Sequence, residues 1–406
     1  GELKQQIKEA LREIVAEMLG SFKEGNGSGT DLVSVVGALL AGYTAPAREA
    51  ASGGEPSLVA KPSNQVAAAP ARYAAEKLAE VTAFAIPRER VGETIERVTL
   101  GATHEAGGTR GRTVTVGGQN CMPFHHFEGS IPHAPVLAME VFDVVGQRCP
   151  AILREVWGKL LDQPVEMAIK AVKEYGAELI SVRLEGTHPE KGNKSPDEAL
   201  ALVKDVLAAV DVPVIVNGHN HFASTNEVFK KIAAGCAGER LLLKWVESEN
   251  YRTIAGVALA YGHCLVAQSP IDVNLSKQLN ILLGNMDLPR DRIIMDPLSA
   301  GLGYGLEYTY SVMERIRLTA LGGDRGLAFP MIVSAGQEAM KVKEANASQS
   351  EFPAWGDLAA RAVIWEVQTA MPLILAGADI VILYHPESLA AIRRNLAKLG
   401  THSRPG

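Results

Sequence analysis

Gly176-Ala177-Glu178-Leu179-Ile180 and Gly377-Ala378-Asp379-Ile380-Val381 are one phrase written twice. Each places glycine where a helix stops, then an acid, then a run of apolar residues suited to a buried strand. Ahead of the first copy, Val165, Ala168, Val172 and Tyr175 fall on one helical face. A helix closed by glycine and followed at once by an all-apolar strand is half of a βαβ unit, the building block of parallel sheets.

Working outward, the chain after Pro132 alternates strand and helix to its end. The expected strands are Val136–Phe142, Leu179–Leu184, Val214–Val216, Leu241–Val246, Leu265–Gln268, Arg292–Met295, Leu327–Val333 and Ile380–Tyr384. Ser195-Pro196-Asp197-Glu198 and Ser224-Thr225-Asn226-Glu227 read as capping boxes that start helices between them. Eight such units over about 270 residues match the size of an α/β protein of the (β/α)8 TIM-barrel class. An open, doubly wound sheet is the alternative, but no G-x-G-x-x-G follows the first strand.

Ahead of the barrel, Val98–Leu100 and Arg112–Val116 read as a hairpin turning through Gly107-Gly108 and plugging one barrel end. Leu3, Ile7, Leu11, Ile14 and Met18 mark an amphipathic helix over 3–19, and Leu32 to Leu40 a short apolar one. These helices either pack on the barrel or dock on a partner. Residues 43–70, rich in Ala, Pro, Ser and Gly, read as a linker. The expected division is a helical appendage over 1–42, linker and short helix over 43–92, hairpin and barrel over 93–400, and a tail over 401–406.

The 406 residues carry a net charge of -6, which gives no electrostatic footprint for nucleic acid or an anionic membrane. No apolar run reads as long enough to span a bilayer and no leader pattern opens the chain, so the expectation is a cytoplasmic protein. Cys121, Cys149, Cys236 and Cys264 are scattered and form no C-x-x-C pair, so no iron–sulfur cluster or zinc ribbon is encoded locally. They read as reduced, mostly buried thiols.

In this architecture function collects in the loops after the strand C-termini. Here those loops are polar: Glu185-Gly186-Thr187-His188, then Asn217-Gly218-His219-Asn220-His221, then Gln268 through Asn274. Asp296-Pro297-Leu298-Ser299-Ala300-Gly301-Leu302-Gly303-Tyr304-Gly305 follows the sixth strand, and Ser334-Ala335-Gly336-Gln337 the seventh. Gly301, Gly303 and Gly305 either admit a ligand close to the backbone or relieve a cramped turn; Asp296, Tyr304 and Tyr308 beside them favour a ligand face. His219 and His221 have metal-ligand spacing, but neither Trp245-Val246-Glu247 nor Gln268 completes a ligand set, so hydrogen bonding or packing is expected of them. His125-His126 read as structural. No nucleophile–base pattern stands out, and no catalytic residue is assigned.

Gly107-Gly108-Thr109-Arg110, Thr113 to Gly118, Pro123-Phe124 and Phe127-Glu128-Gly129 resemble the opening segment of the corrinoid iron–sulfur protein small subunit family. Its archaeal form is the delta subunit of acetyl-CoA decarbonylase/synthase. Ala138 to Asp143, Gly192-Asn193-Lys194-Ser195 and Met295-Asp296-Pro297 resemble the same family, over residues 95–400. The appendage before residue 90 exceeds the family barrel.

The resemblance implies a TIM barrel paired with a larger subunit that carries the iron–sulfur cluster and the corrinoid (cobamide). Its cobalt accepts methyl from a methyl-tetrahydropterin methyltransferase partner and passes it to acetyl-CoA synthase, both transient contacts. The barrel mouth would then cover the corrin, sharing that cofactor and holding no cluster of its own. Corrin amides suit Asn217, Asn220, Gln268, Asn274, Ser299, Ser334 and Gln337, with Asp296, Gly301, Gly303 and Tyr304 beside them. Three rivals stand: a pterin-binding methyltransferase barrel of the dihydropteroate-synthase type, reading the ring with Asp296 and Asn217; a metal hydrolase; and a purely architectural subunit.

Overall fold

The computed structural model of the chain describes residues 87–88, 91–146 and 149–400. The helices expected over 3–19 and 32–40, the linker and the tail lie outside the described residues.

Eight parallel strands close into a barrel in which each pairs with its neighbour in chain order and the last pairs with the first. They are β3 (Val136–Phe142), β4 (Leu179–Arg183), β5 (Val214–Asn217), β6 (Leu242–Val246), β7 (Cys264–Gln268), β8 (Ile293–Asp296), β9 (Met331–Val333) and β10 (Ala378–Leu383). Around them run α1 (Ala151–Trp157), α2 (Pro164–Lys173), α3 (Pro196–Ala209), α4 (Phe222–Gly235), α5 (Tyr251–Tyr261), α6 (Val273–Gly284), α7 (Leu306–Leu321), α8 (Ala335–Ala339), α9 (Leu358–Leu375) and α10 (Pro386–Gly400). The expected (β/α)8 barrel is the fold.

The repeated phrase has a physical basis. Gly176 and Gly377 both hold positive φ, 70° and 114°, where an L side chain is strained. The acids that follow each accept an N–H at the start of a neighbouring strand: Glu178 Oε1 from Leu137 at 3.3 Å, Asp379 Oδ2 from Met331 at 2.8 Å.

The hairpin closes the N-terminal end of the barrel. β1 (Val98–Leu100) pairs antiparallel with β2 (Val114–Val116). Val98, Leu100 and Val116 join one apolar cluster with Val136, Leu179, Leu242 and Cys264 at the strand starts. Arg110, 2% exposed, ties the hairpin to the ring by donating to the carbonyls of Val210 at 2.6 Å and Val212 at 3.2 Å.

Three expectations are corrected. The ninth strand begins at Met331, not Leu327, because Asp324 caps a 3-10 turn over Arg325–Leu327 and Pro330 supplies no N–H for a ladder. Ser195–Glu198 is a capping box, but Ser224–Glu227 is not: α4 starts at Phe222, and the His221 ring accepts from the Ser224 N–H. One apolar run does reach spanning length, since α9 has 18 residues at mean hydropathy 1.3. It is nonetheless built into the barrel ring, with Glu366 fully buried and accepting the N–H groups of Tyr384 at 2.6 Å and His385 at 3.2 Å.

Candidate functional site

Strand side chains alternate, so every second residue points into the barrel. The inward positions begin apolar at the hairpin end and turn polar at the C-terminal mouth. β3 runs Val136, Ala138, Glu140; β4 runs Leu179, Ser181, Arg183; β6 runs Leu242, Lys244; β8 runs Ile294, Asp296. A charge can stand in such a row only when partnered, because burial removes its hydration.

Two charged groups meet that requirement. Glu140, fully buried, accepts from Ser181 Oγ at 2.8 Å and Asn217 Nδ2 at 2.6 Å, and lies 3.7 Å from Arg183 Nη1. Arg183 donates to Glu185 at 3.1 Å and to Gln337 Oε1 at 2.7 Å, and Lys191 closes on Glu185 from outside. Burial opposes the Arg183 charge, but Tyr384, Glu140 and Glu185 outweigh it and hold the guanidinium above its ordinary value. Burial likewise opposes Glu185, yet Arg183 and Lys191 keep its carboxyl below the usual range. Across the mouth Lys244 Nζ pairs with Asp296 Oδ2 at 2.7 Å, and Gln268 joins them to Glu247, donating at 2.7 Å.

The loop after β4 is pinned to the end of β3. Gly186 N–H donates to Asp143 Oδ1 at 2.9 Å, and Lys194 Nζ donates to the Asp143 carbonyl at 2.7 Å. A side chain at Gly186 would sit 2.6 Å from Asp143 Oδ2, so this close approach requires glycine. Burial raises the Asp143 carboxyl although Gly186 and Lys194 favour its charge. Gly192-Asn193-Lys194-Ser195 and the end of the β3 motif are therefore one device, a clasp on the mouth rim.

His188, His219 and His221 gather beside this loop, with ring centroids 5.0, 5.5 and 6.4 Å apart. Both His219 nitrogens are engaged, Nε2 with Thr187 Oγ1 at 2.9 Å and Nδ1 accepting the His221 N–H at 3.2 Å. Burial, then His188, lowers its pKa to about 4, so the ring is neutral. Among the described residues no group of His, Cys, Asp and Glu is arranged to hold a metal.

Asn217, Gln268, Asp296 and Ser334 are buried at the mouth, and Ser299 Oγ accepts the Ser334 N–H at 3.3 Å. Asn217 Oδ1 and Ser334 Oγ have no partner among the described residues. Gln337 faces Arg183. Asn220 and Asn274 are exposed and lie outside this buried network. Gly301 packs under the Glu338 carbonyl, 3.3 Å from where a Cβ would stand, while Gly303 faces open space at φ +76°. Tyr304 is half exposed and donates to Glu344 at 3.0 Å.

Sequence reasoning missed Glu140, Arg183, Lys244 and Tyr384. The signal was there for the first three: a charge inside an otherwise apolar strand, in step with the inward-facing positions of that strand. Arg183 and Tyr384 line a cleft of about 740 Å³ together with Phe142, Val144, Leu153 and Met340. Its side chains come from loops far apart in sequence.

The molecule is thus a (β/α)8-barrel protein whose N-terminal end is closed by a hairpin and whose C-terminal mouth is polar. Residues 97–394 match the family described as CO dehydrogenase/acetyl-CoA synthase delta subunit, and the chain belongs to that family. Subunit delta of the acetyl-CoA decarbonylase/synthase complex of Archaeoglobus fulgidus is 38% identical over 321 residues, covering 77% of this chain and 70% of the relative. Subunit delta 1 of the same complex from Methanosarcina thermophila is 38% identical over 305 residues, covering 74% and 69%. Among solved structures, dihydropteroate synthase of Xanthomonas albilineans with indole-2-carboxylic acid and 6-chloroguanine overlays at TM-score 0.47 and 14% identity, covering 77% of this chain and 100% of that one. The Thermus thermophilus synthase with 6HMPPP overlays at 0.43 and 16%, covering 69% and 98%. Neither overlay carries a functional argument.

Proposed function

We propose that the chain acts as a delta-type subunit of an acetyl-CoA decarbonylase/synthase complex, its barrel mouth covering a corrinoid held by a larger subunit. The observation that carries this reading is the internal pairing of the mouth's charges. Lys244 is matched by Asp296, and Arg183 by Glu140 and Glu185, so the mouth offers its neighbour amides and hydroxyls rather than a free acid or base. That donor set fits a macrocycle fringed with neutral amides.

The corrinoid, when bound, supplies the cobalt chemistry of methyl transfer. This chain would orient the cofactor and exclude water: Asn217, Gln268 and Ser334 from the floor, Ser299, Gly303 and Tyr304 from the rim, Asn220 and Asn274 from the exposed loops. The rival pterin reading relies on a free strand-end carboxylate at Asp296. Lys244 and the Leu298 N–H, at 2.9 Å, already engage it, which weighs against that reading.

The test is corrinoid retention in the complex of this chain with its larger partner, read from the absorbance spectrum. A valine at Gly303 would be strained by the backbone alone, so Gly303→Asn, which tolerates positive φ, is the better variant. Its side chain should enter the space the cofactor needs and lower corrinoid content severalfold, with the barrel still folded. Unchanged content in Gly303→Asn and in Tyr304→Ala would favour the architectural rival.

A further inference from the structure

We propose that a cavity beside the N-terminal end of the barrel, away from the mouth, binds a small aromatic molecule that donates an N–H to Gln119 Oε1. The cavity, about 260 Å³, lies where β3 and β10 begin: Pro135 precedes one strand and Gly377 the other. Its walls are apolar, with Pro123, Phe124 and Ile131 from the segment ahead of β3, Ile374 from the last turn of α9 and Leu396 from α10. An apolar cavity of about 150 Å³ is enough for benzene, so this one has room for two fused rings.

The polar lining consists of acceptors. Asp379 Oδ2 takes Arg317 Nη2 and the Met331 N–H, each at 2.8 Å, and Oδ1 takes Gln119 Nε2 at 2.7 Å. A carboxylate offers acceptors only, so the Gln119 amide cannot turn over: its NH2 must face Asp379. Its oxygen is thereby left as an acceptor. Gln119 is 6% exposed, and Oε1 has no partner among the described residues. Leaving such an atom unmatched is costly, and a donor entering the cavity would recover that cost. His133 adds to the pattern, since its Nδ1 donates to the Gly117 carbonyl at 2.8 Å and its Nε2 is then an acceptor in the neutral ring.

The wall is also strained. Phe124 holds φ at 63°, a region that bulky side chains rarely adopt. Such strain persists where the surroundings impose it, commonly at binding sites. Pro123-Phe124 belongs to the opening segment that resembles the family, and the barrel mouth makes no use of it. A ring with one N–H, seated on Phe124 and donating to Gln119, satisfies cavity and acceptor together.

Indole and benzofuran, nearly equal in shape, are titrated into the 406-residue chain, followed by calorimetry and by ligand-observed NMR. Indole should saturate one site. Benzofuran lacks the N–H and should bind at least about tenfold more weakly. Gln119→Leu should erase that preference, which a merely structural role for Gln119 would not. Ala134→Trp, at an exposed position on the cavity lining, should exclude both probes. Thermal melts establish that the variants fold; if Gln119→Leu does not, the indole preference of the unaltered chain and Ala134→Trp decide. The inference is overturned by absence of saturable indole binding, by equal affinity for the two probes in the unaltered chain, or by binding that survives Ala134→Trp. None of these outcomes bears on corrinoid retention in Gly303→Asn, which tests the mouth.

Discussion

Lys244 Nζ on β6 lies 2.7 Å from Asp296 Oδ2 on β8, and the two side chains are 3% and 2% exposed. The pair spans the top of β7, where Gln268 Oε1 accepts from the same ammonium at 3.4 Å. A charge couple sealed this deeply couples the geometry of the mouth to the stability of the barrel.

Removing one member should therefore cost far more than removing both. Lys244→Met or Asp296→Leu alone leaves a buried unpaired charge and should destabilise by about 3–5 kcal/mol. The double variant should recover most of that. Urea unfolding midpoints measure all three; a double variant no better than the singles would show that hydrogen bonds to the backbone, not the pair, dominate. An Asp296→Ala test of cofactor binding is confounded unless Lys244 is changed with it.

Gly186→Ala should loosen the clasp on the mouth rim, because the new Cβ stands 2.6 Å from both Asp143 Oδ2 and Val144 Cγ2. The overpacking is expected to cost about 1–3 kcal/mol. Gly303→Ala meets nothing within 4 Å and pays only backbone strain at φ +76°, expected at about 1–2 kcal/mol. Amide exchange in the 184–194 loop should rise in the first variant and not in the second. Equal exchange in both would mean that Asp143 does not hold the loop.

Two buried groups give opposite pH limbs. Burial pushes the Glu366 carboxyl up to about 7 from 4.5 against the pull of Ser388 and two backbone N–H groups. Between those values the folded chain keeps a proton that the unfolded chain has released, so stability falls as pH rises. His219 is lowered from 6.5 to about 4, so there the unfolded chain holds the extra proton and stability falls as pH drops. Glu366→Gln should flatten the upper limb and His219→Gln the lower one, in denaturant midpoints taken across both windows. A Glu366→Gln profile with the wild-type upper slope would remove Glu366 as its source.

The purified chain is expected to hold neither an iron–sulfur cluster nor stoichiometric zinc. Cys121, Cys236 and Cys264 are buried, and burial raises each thiol to about 11, which disfavours the thiolate a metal needs. Elemental analysis checks this. Four irons per chain, or tight zinc lost on His219→Ala, would contradict it.

Much of the architecture was legible in the chain because local rules and burial agree there. Gly176 and Gly377 mark helix ends through their φ, and Ser195 with Glu198 forms a complete capping box, all interactions within a few residues. Strand ends were less sharp: Cys264 and Asp296 read as flanking residues and proved to be ladder members, since strand limits depend on the neighbouring strand's register.

By itself, then, the sequence determined eight buried strands, the glycine-closed helices between them, the hairpin ahead of them and the polar character of the loops that follow. Period and capping are properties of short stretches, and they need no distant partner to be read. Tertiary structure alone decided which polar residues face one another. Lys244 is a charge inside an apolar strand that β8 matches with Asp296, and Arg183 takes Glu140 from β3 and Gln337 from α8. Barrel closure sets those pairings, because the inward face of each strand meets its partners only once the sheet has curved back on itself.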